Sequence, residues 1–208
     1  MKIIDISWPL TPTTTAYKDN KTIAFNTVKT VARDGACESV ITLSCHSGTH
    51  VDAPAHFIAD GATIEHAPLE RFTGPCKVID LTSVANAITA ADLQPFDIEE
   101  GDIIIIKTTN STLSATAPFK KDFVYLHASA AAHLVDCGID LVGFDYLGIE
   151  RDQPKHETHL MLMEADVMIV EGLRLAHVKP GDYLFVCLPL ATVGLEAAPA
   201  RAILVSGI

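Results

Sequence analysis

The sequence predicts a mixed α/β fold, strand-rich and largely antiparallel, with a few helices. Short β-branched segments recur along the whole chain, only three stretches read as helix, and the two alternate too irregularly for a doubly wound parallel sheet. Strands are read at 2–7, 39–44, 77–81, 102–107, 123–126, 141–144, 167–170, 183–187 and 202–205. The run Ile103-Ile104-Ile105-Ile106 is continuously apolar, as expected for a strand buried on both faces. Helices are read at 89–93, where Thr89 can serve as N-cap, at 129–137, which stops at Gly138, and at 156–164. Residues 11–15 and 108–117 read as loops. No repeat, low-complexity tract or linker divides the 208 residues, so a single domain over 1–208 is expected.

The bulk properties exclude several functions. A composition of 49% hydrophobic and 20% charged residues is that of an ordinary globular protein. A formal charge of −11 argues against nucleic acid as a partner, because phosphate binding needs a basic surface. No apolar run approaches the ~20 residues that span a bilayer, and Asp5 interrupts the N-terminal apolar run, so no membrane association and a cytoplasmic location are expected. Five scattered cysteines with no C-x-x-C pair indicate neither a disulfide framework nor a cysteine zinc site. Gly-rich phosphate loops and the G-x-S-x-G elbow are also lacking.

The chemistry concentrates in Cys45-His46-Ser47-Gly48-Thr49-His50-Val51-Asp52-Ala53-Pro54-Ala55-His56-Phe57. His46, His50, Asp52 and His56 all occupy even positions, and alternate side chains of an extended chain share a face. Three imidazoles and a carboxylate suit a divalent metal and leave an imidazole for proton transfer. A helix is disfavoured by Gly48 and Pro54. The preceding segment 39–44 reads as a strand, so the motif is expected at its end, running into a loop. A straight strand would hold the His46 and His50 Cα atoms roughly 13 Å apart, so a bend is expected at Ser47-Gly48. Cys45, by alternation, should face the core.

A second polar set lies at Lys155-His156-Glu157-Thr158-His159, with Glu171 further on. His159 would leave from a helix start and Glu171 from the end of the following strand. A helix folded back on that strand would bring them together, although Glu171 could equally cap a helix or face solvent.

The segment His46 to His56 closely resembles the H-x-G-T-H-x-D-x-P-x-H signature of the cyclase-like metal-dependent hydrolases, a family that includes bacterial kynurenine formamidase and isatin hydrolase. Asp5 to Leu10, the spacing of His159 and Glu171, the Glu171-Gly172-Leu173 that follows, and residues 189–202 resemble the rest of that family's pattern. The resemblance implies a swivelling β/β/α-like fold and a homodimer or homotetramer. It implies His46, His50 and Asp52 as metal ligands, with Asp52 bridging to a second ion held by His159 and Glu171, and His56 as general acid/base. His156 competes with His159 from three residues away. Two departures concern the substrate. Lys18 and Asp19 stand where the formamidases carry Pro-Gly, and Gly148 stands where the family often carries serine.

The expected activity is hydrolysis of a small carbonyl compound by one or two divalent ions. Zinc is the first choice and manganese the second. An arylformamide such as N-formylkynurenine is the first candidate substrate, with a cyclic amide or lactone next. A metal-assisted cyclase or dehydratase, which is a lyase, and a non-catalytic metal-binding module are the alternatives. Trp8, Tyr17, Phe57 and Tyr146 are pocket or core aromatics, and His66, His127, His133 and His177 are expected to play ordinary structural roles.

Overall fold

The computed structural model describes residues 1–207. The strands are β1 (Lys2–Asp5), β2 (Ala24–Lys29), β3 (Glu38–Thr42), β4 (His50–Asp52), β5 (Thr73–Asp80), β6 (Ala87–Ile88), β7 (Ile103–Lys107), β8 (Tyr125–Leu126), β9 (Leu141–Phe144), β10 (Met168–Glu171), β11 (Gly181–Pro189) and β12 (Ala197–Ser206). The helices are α1 (Val31–Asp34), α2 (Ala90–Leu93), α3 (Ala128–Cys137) and α4 (Glu157–Glu164). As expected, the fold is mixed and strand-rich, with antiparallel pairs outnumbering parallel ones in the main sheet. None of the helices among the described residues is long and apolar enough to cross a membrane.

Eight strands form one sheet in the order β1-β12-β11-β5-β7-β9-β10-β4, and a further pairing of β12 with β4 closes it into a barrel. Closure depends on the length of β12. Its Ala197–Pro199 stretch pairs with β4 and its Ile203–Ser206 stretch with β1, while β11 runs along the opposite edge.

Strand alternation sorts side chains between two cores. Ile103 and Ile105, Met168 and Val170, and Val51 point into the barrel with Phe72, Phe185 and Leu204. Ile104 and Ile106, Val142 and Phe144, and Ile169 point outward, beneath Ala130, Ala131 and Leu134 of α3 and Leu162 and Met163 of α4. The isoleucine run is therefore buried on both faces, as its sequence predicts. On β10 the same alternation puts Glu171 outward with Ile169.

The structure corrects the expected surroundings of the motif. The strand read at 39–44 is β3, which pairs with the unrecognised β2 in a solvent-exposed ribbon outside the barrel. The motif is carried instead by β4, a barrel strand that begins after the turn. Only His50 and Asp52 lie on it, so the four polar groups do not share one extended face. The physical reason is the backbone: Gly48 turns the chain at φ +63, and Pro54 starts a 3-10 turn, Pro54–His56, that carries His56. Cys45 lies in the turn and is only partly buried, because alternation does not apply there.

Candidate metal centre

Barrel register builds the centre. In the antiparallel β4–β10 pair, His50 stands opposite Glu171 and Asp52 opposite Ile169. His50, Asp52 and Glu171 therefore emerge on the outer face, where α4 covers them. His159, in the first turn of α4, points back at this strand pair, as a helix folded onto the following strand requires.

The turn before β4 is fixed by a close approach of two backbones. A Cβ on Gly172, at φ +70, would lie 2.1 Å from the Gly48 carbonyl oxygen. The Thr49 hydroxyl donates to the Gly172 carbonyl at 2.6 Å and accepts from Trp8 N–H at 2.8 Å. This clamp swings His46 over β4, with its Nδ1 3.0 Å from Asp52 Oδ1.

Five candidate ligand groups converge. His50 Nε2 lies 3.4 Å from both Asp52 Oδ1 and Glu171 Oε2. His159 Nε2 lies 3.3 Å from Glu171 Oε1 and 3.8 Å from Asp52 Oδ2. The donor atoms of His46, His50 and Asp52 fall within 4.8 Å of one another, as do those of Asp52, His159 and Glu171. Asp52 belongs to both groups, one oxygen facing each.

The donor set fits a cation. His50, Asp52, His159 and Glu171 are all at least nine-tenths buried, and buried charged groups need compensation. Yet both Asp52 oxygens, His46 Nε2 and His50 Nε2 lack a hydrogen-bond partner. Donor atoms packed together without hydrogen-bond alignment are what shared coordination of an ion requires. The electrostatics agree. Burial alone would depress the imidazoles, but Asp52 and Glu171 raise His50 to about 9, and Glu150 and Glu171 raise His159 to about 10. Burial pushes the Glu171 carboxyl up, but His159 and His50 more than offset this and hold it well below the usual carboxylate range.

His156 takes a different place. It caps α4 in a left-handed conformation, φ 54, and its half-exposed ring turns to Glu150 Oε1. At the N-cap, outside the helical turn, it does not share a helix face with His159. Sequence reasoning missed Glu150, which is buried: Oε2 lies 3.0 Å from His159 Nδ1 and accepts from the His159 backbone N–H. A carboxylate on the outer nitrogen of an imidazole fixes which nitrogen faces inward. Glu196, also missed, sits 3.4 Å from His46 Nε2 at the rim. Neither carries a sequence signal beyond its charge.

His56 overhangs the group, its ring 4.1 Å from that of His46 and 6.2 Å from that of His159, centroid to centroid. Burial pushes its pKa below the ordinary imidazole value, and His46 and His159 add to this against the opposing pull of Asp52 and Glu171. A cavity of about 380 Å³ opens over the centre and is lined by His56, Phe57, Tyr17 and Gly148 among others. Phe57 lies tilted against the rings of His156 and His159, at centroid distances of 4.5 and 4.4 Å. Trp8 and Tyr146 are core residues, 2% and 1% exposed. His127 caps α3, His177 bonds the Asp5 carbonyl, and His66 and His133 make local contacts, all away from the cavity.

The family described as "Putative cyclase" matches residues 4–151, which include the whole motif. The chain belongs to the cyclase family. A kynurenine formamidase from Salinibacter ruber (strain DSM 13855 / M31) is 30% identical, with 98% of this chain and 97% of that protein aligned. The solved structure of a potential metal-dependent hydrolase with cyclase activity is 42% identical, with a TM-score of 0.89 over 98% of this chain and 96% of that one. An isatin hydrolase bound to the product analogue thioisatinate shares the fold at a TM-score of 0.86 and 20% identity, covering 100% of this chain and 93% of that one.

Proposed function

We propose that this cyclase-family chain is a metal-dependent amidohydrolase cleaving a small arylformamide, N-formylkynurenine first and a cyclic amide or lactone second. The observation that carries the reading is the meeting of two ligand groups at one shared carboxylate, Asp52, beneath the overhanging imidazole of His56.

In this reading residues 1–208 act as one domain. His46, His50 and Asp52 would hold one ion, and Asp52, His159 and Glu171 would hold a second. Zinc is the first choice and manganese the second, since mixed imidazole and carboxylate ligation suits both. When bound, a divalent ion supplies water of lowered pKa and polarises the substrate carbonyl. Glu150 keeps the His159 ring turned inward. His56, whose pKa burial lowers, takes the proton of the attacking water and returns it to the leaving nitrogen. Phe57 and Tyr17 offer aromatic walls to a planar substrate. The partner is a small carbonyl compound rather than nucleic acid or a membrane, and the working form is a cytoplasmic homodimer or homotetramer.

A metal-assisted cyclisation or dehydration, a lyase reaction, is the second reading, supported by the cyclase activity named for the 42%-identical structure. Metal analysis of the purified protein, followed by assays with arylformamides, isatin-like rings and lactones in ¹⁸O-labelled water, tests both. Hydrolysis places the label in the product. Turnover without label makes the protein a lyase, and bound metal without turnover on any of them would overturn the enzymatic reading.

A further inference from the structure

An imidazole that gives one nitrogen to a metal carries its proton on the other, and that outer N–H needs an acceptor. Two of the three candidate ligand histidines have an evident one. His50 turns Nε2 to Asp52 and Glu171, and its Nδ1 lies 2.9 Å from the Gly48 carbonyl oxygen. His159 turns Nε2 to the same two carboxylates, and its Nδ1 lies 3.0 Å from Glu150 Oε2. His46 repeats the arrangement with its nitrogens exchanged. Its Nδ1 faces Asp52 Oδ1 at 3.0 Å, and its Nε2, on the far side of the ring, faces Glu196 Oε1 at 3.4 Å.

His46 is the ligand that most needs such support. His50 stands on a barrel strand and His159 on a helix, whereas His46 lies in the turn before β4 and is partly exposed. Its Nε2 is buried and has no hydrogen-bond partner. The 3.4 Å separation is roughly half an ångström longer than a charge-assisted N–H···O bond, a gap that one rotation of the Glu196 side chain closes.

Backbone pairing puts Glu196 within this reach. It immediately precedes β12, whose Ala197 pairs with Asp52, and its carbonyl accepts from Ala53 N–H at 2.9 Å. The main chain of Glu196 is thus tied to the strand that carries Asp52, and its side chain is left to turn. That side chain is 40% exposed, against 8% for Glu150. Among the described residues it pairs with no lysine or arginine, and His46 is its one ionic neighbour.

We propose that Glu196 is the positioning residue of His46: it accepts from the outer Nε2–H, keeps Nδ1 turned to Asp52, and thereby sets how tightly the first ion is held. The proposal rests on the reading of His46 as a metal ligand, and its test does not need turnover.

The probe is zinc alone, its content measured at buffered free concentrations on the wild type, Glu196→Gln, His46→Ala and the double variant. Glu196→Gln should weaken one ion by about tenfold, the low end for a ligand's supporting carboxylate because solvent screens an exposed one. In the His46→Ala background the same change should move zinc binding by less than about twofold, since the carboxylate acts through a ring that is gone. Glu65→Ala controls for a merely structural role: Glu65 accepts from Gly194 N–H at 3.0 Å in the loop leading to Glu196, and its loss should leave zinc binding unchanged. With cobalt(II) in place of zinc, the visible ligand-field bands should shift in Glu196→Gln and not in Glu65→Ala. Wild-type zinc affinity in Glu196→Gln would overturn the proposal and leave the metal centre intact. Equal weakening with and without His46 would also overturn it, since Glu196 would then act on the ion or the loop directly. A wild type that takes up no zinc would discard the metal centre itself, and the proposal with it.

Discussion

His50 and Glu171 stand directly opposite each other in the β4–β10 register, with His50 Nε2 3.4 Å from Glu171 Oε2. Residues 121 positions apart in the chain are thereby held by backbone pairing rather than by flexible loops. Substituting Glu171 should act on the second ion group without disturbing the first. Glu171→Gln should reduce metal stoichiometry, weakening that group by about 100-fold or more, beyond what loss of a ligand's supporting partner costs. His156→Ala, which removes only a partner of Glu150, should reduce it less. Elemental analysis of both variants checks the ranking, and the reverse order would make His156 the ligand.

The Gly172–Gly48 contact should be intolerant of any side chain. Gly172→Ala places a carbon 2.1 Å from the Gly48 oxygen at a positive φ, so one of the two backbones must move. The expected cost is about 3 kcal/mol or more, seen in chemical denaturation, with metal binding weakened because the displaced turn carries His46. Unchanged stability would show that the turn is not clamped as described.

Metal binding should release protons at neutral pH. His50 and His159 have folded values of about 9 and about 10, above the ordinary 6.5. In the metal-stripped protein their stabilisation is full below 6.5 and is lost as pH rises through 9 to 10. Glu171 is depressed, so its contribution holds above its ordinary 4.5 and is lost as pH falls toward its folded value. A metal ligand must be deprotonated. Calorimetry at pH 7.5 in buffers of different protonation enthalpy should therefore report net proton release on metal addition, with affinity rising with pH. Proton-neutral binding would contradict the ligand assignment.

Much of this site was legible in the sequence because its signals are local. Gly48 and Pro54 mark the bends, and His46, His50, Asp52 and His56 crowd a few residues. The helix read at 156–164 and the strand at 167–170 were enough to suggest that His159 could meet Glu171. What stayed hidden depends on pairing between distant segments. Nothing in the sequence around β4 says that it pairs with β10 and β12, so the sequence ties the motif to the strand at 39–44 instead. The β2–β3 ribbon was half missed because β2 buries no face and shows no clear apolar alternation. Glu150 and Glu196 reach the centre only through tertiary contacts. His156 could be set apart from His159 only once its left-handed backbone was seen.

His56 should separate proton transfer from metal binding. His56→Ala should keep the metal and the fold while losing turnover on the order of 10²–10⁴-fold, as for a lost general acid/base. Metal content and kcat measured on one preparation check this. Metal loss in proportion to activity would make His56 a ligand, and normal turnover would place the proton elsewhere.

The central claim is that Asp52 is the carboxylate shared by both ion groups. Metal stoichiometry of Asp52→Ala, measured on protein shown by circular dichroism to be folded, tests it most directly. The predicted result is loss of both ions together with activity, whereas His46→Ala loses metal from the first group and Glu171→Gln from the second. Retention of the full wild-type metal content by folded Asp52→Ala would contradict the claim.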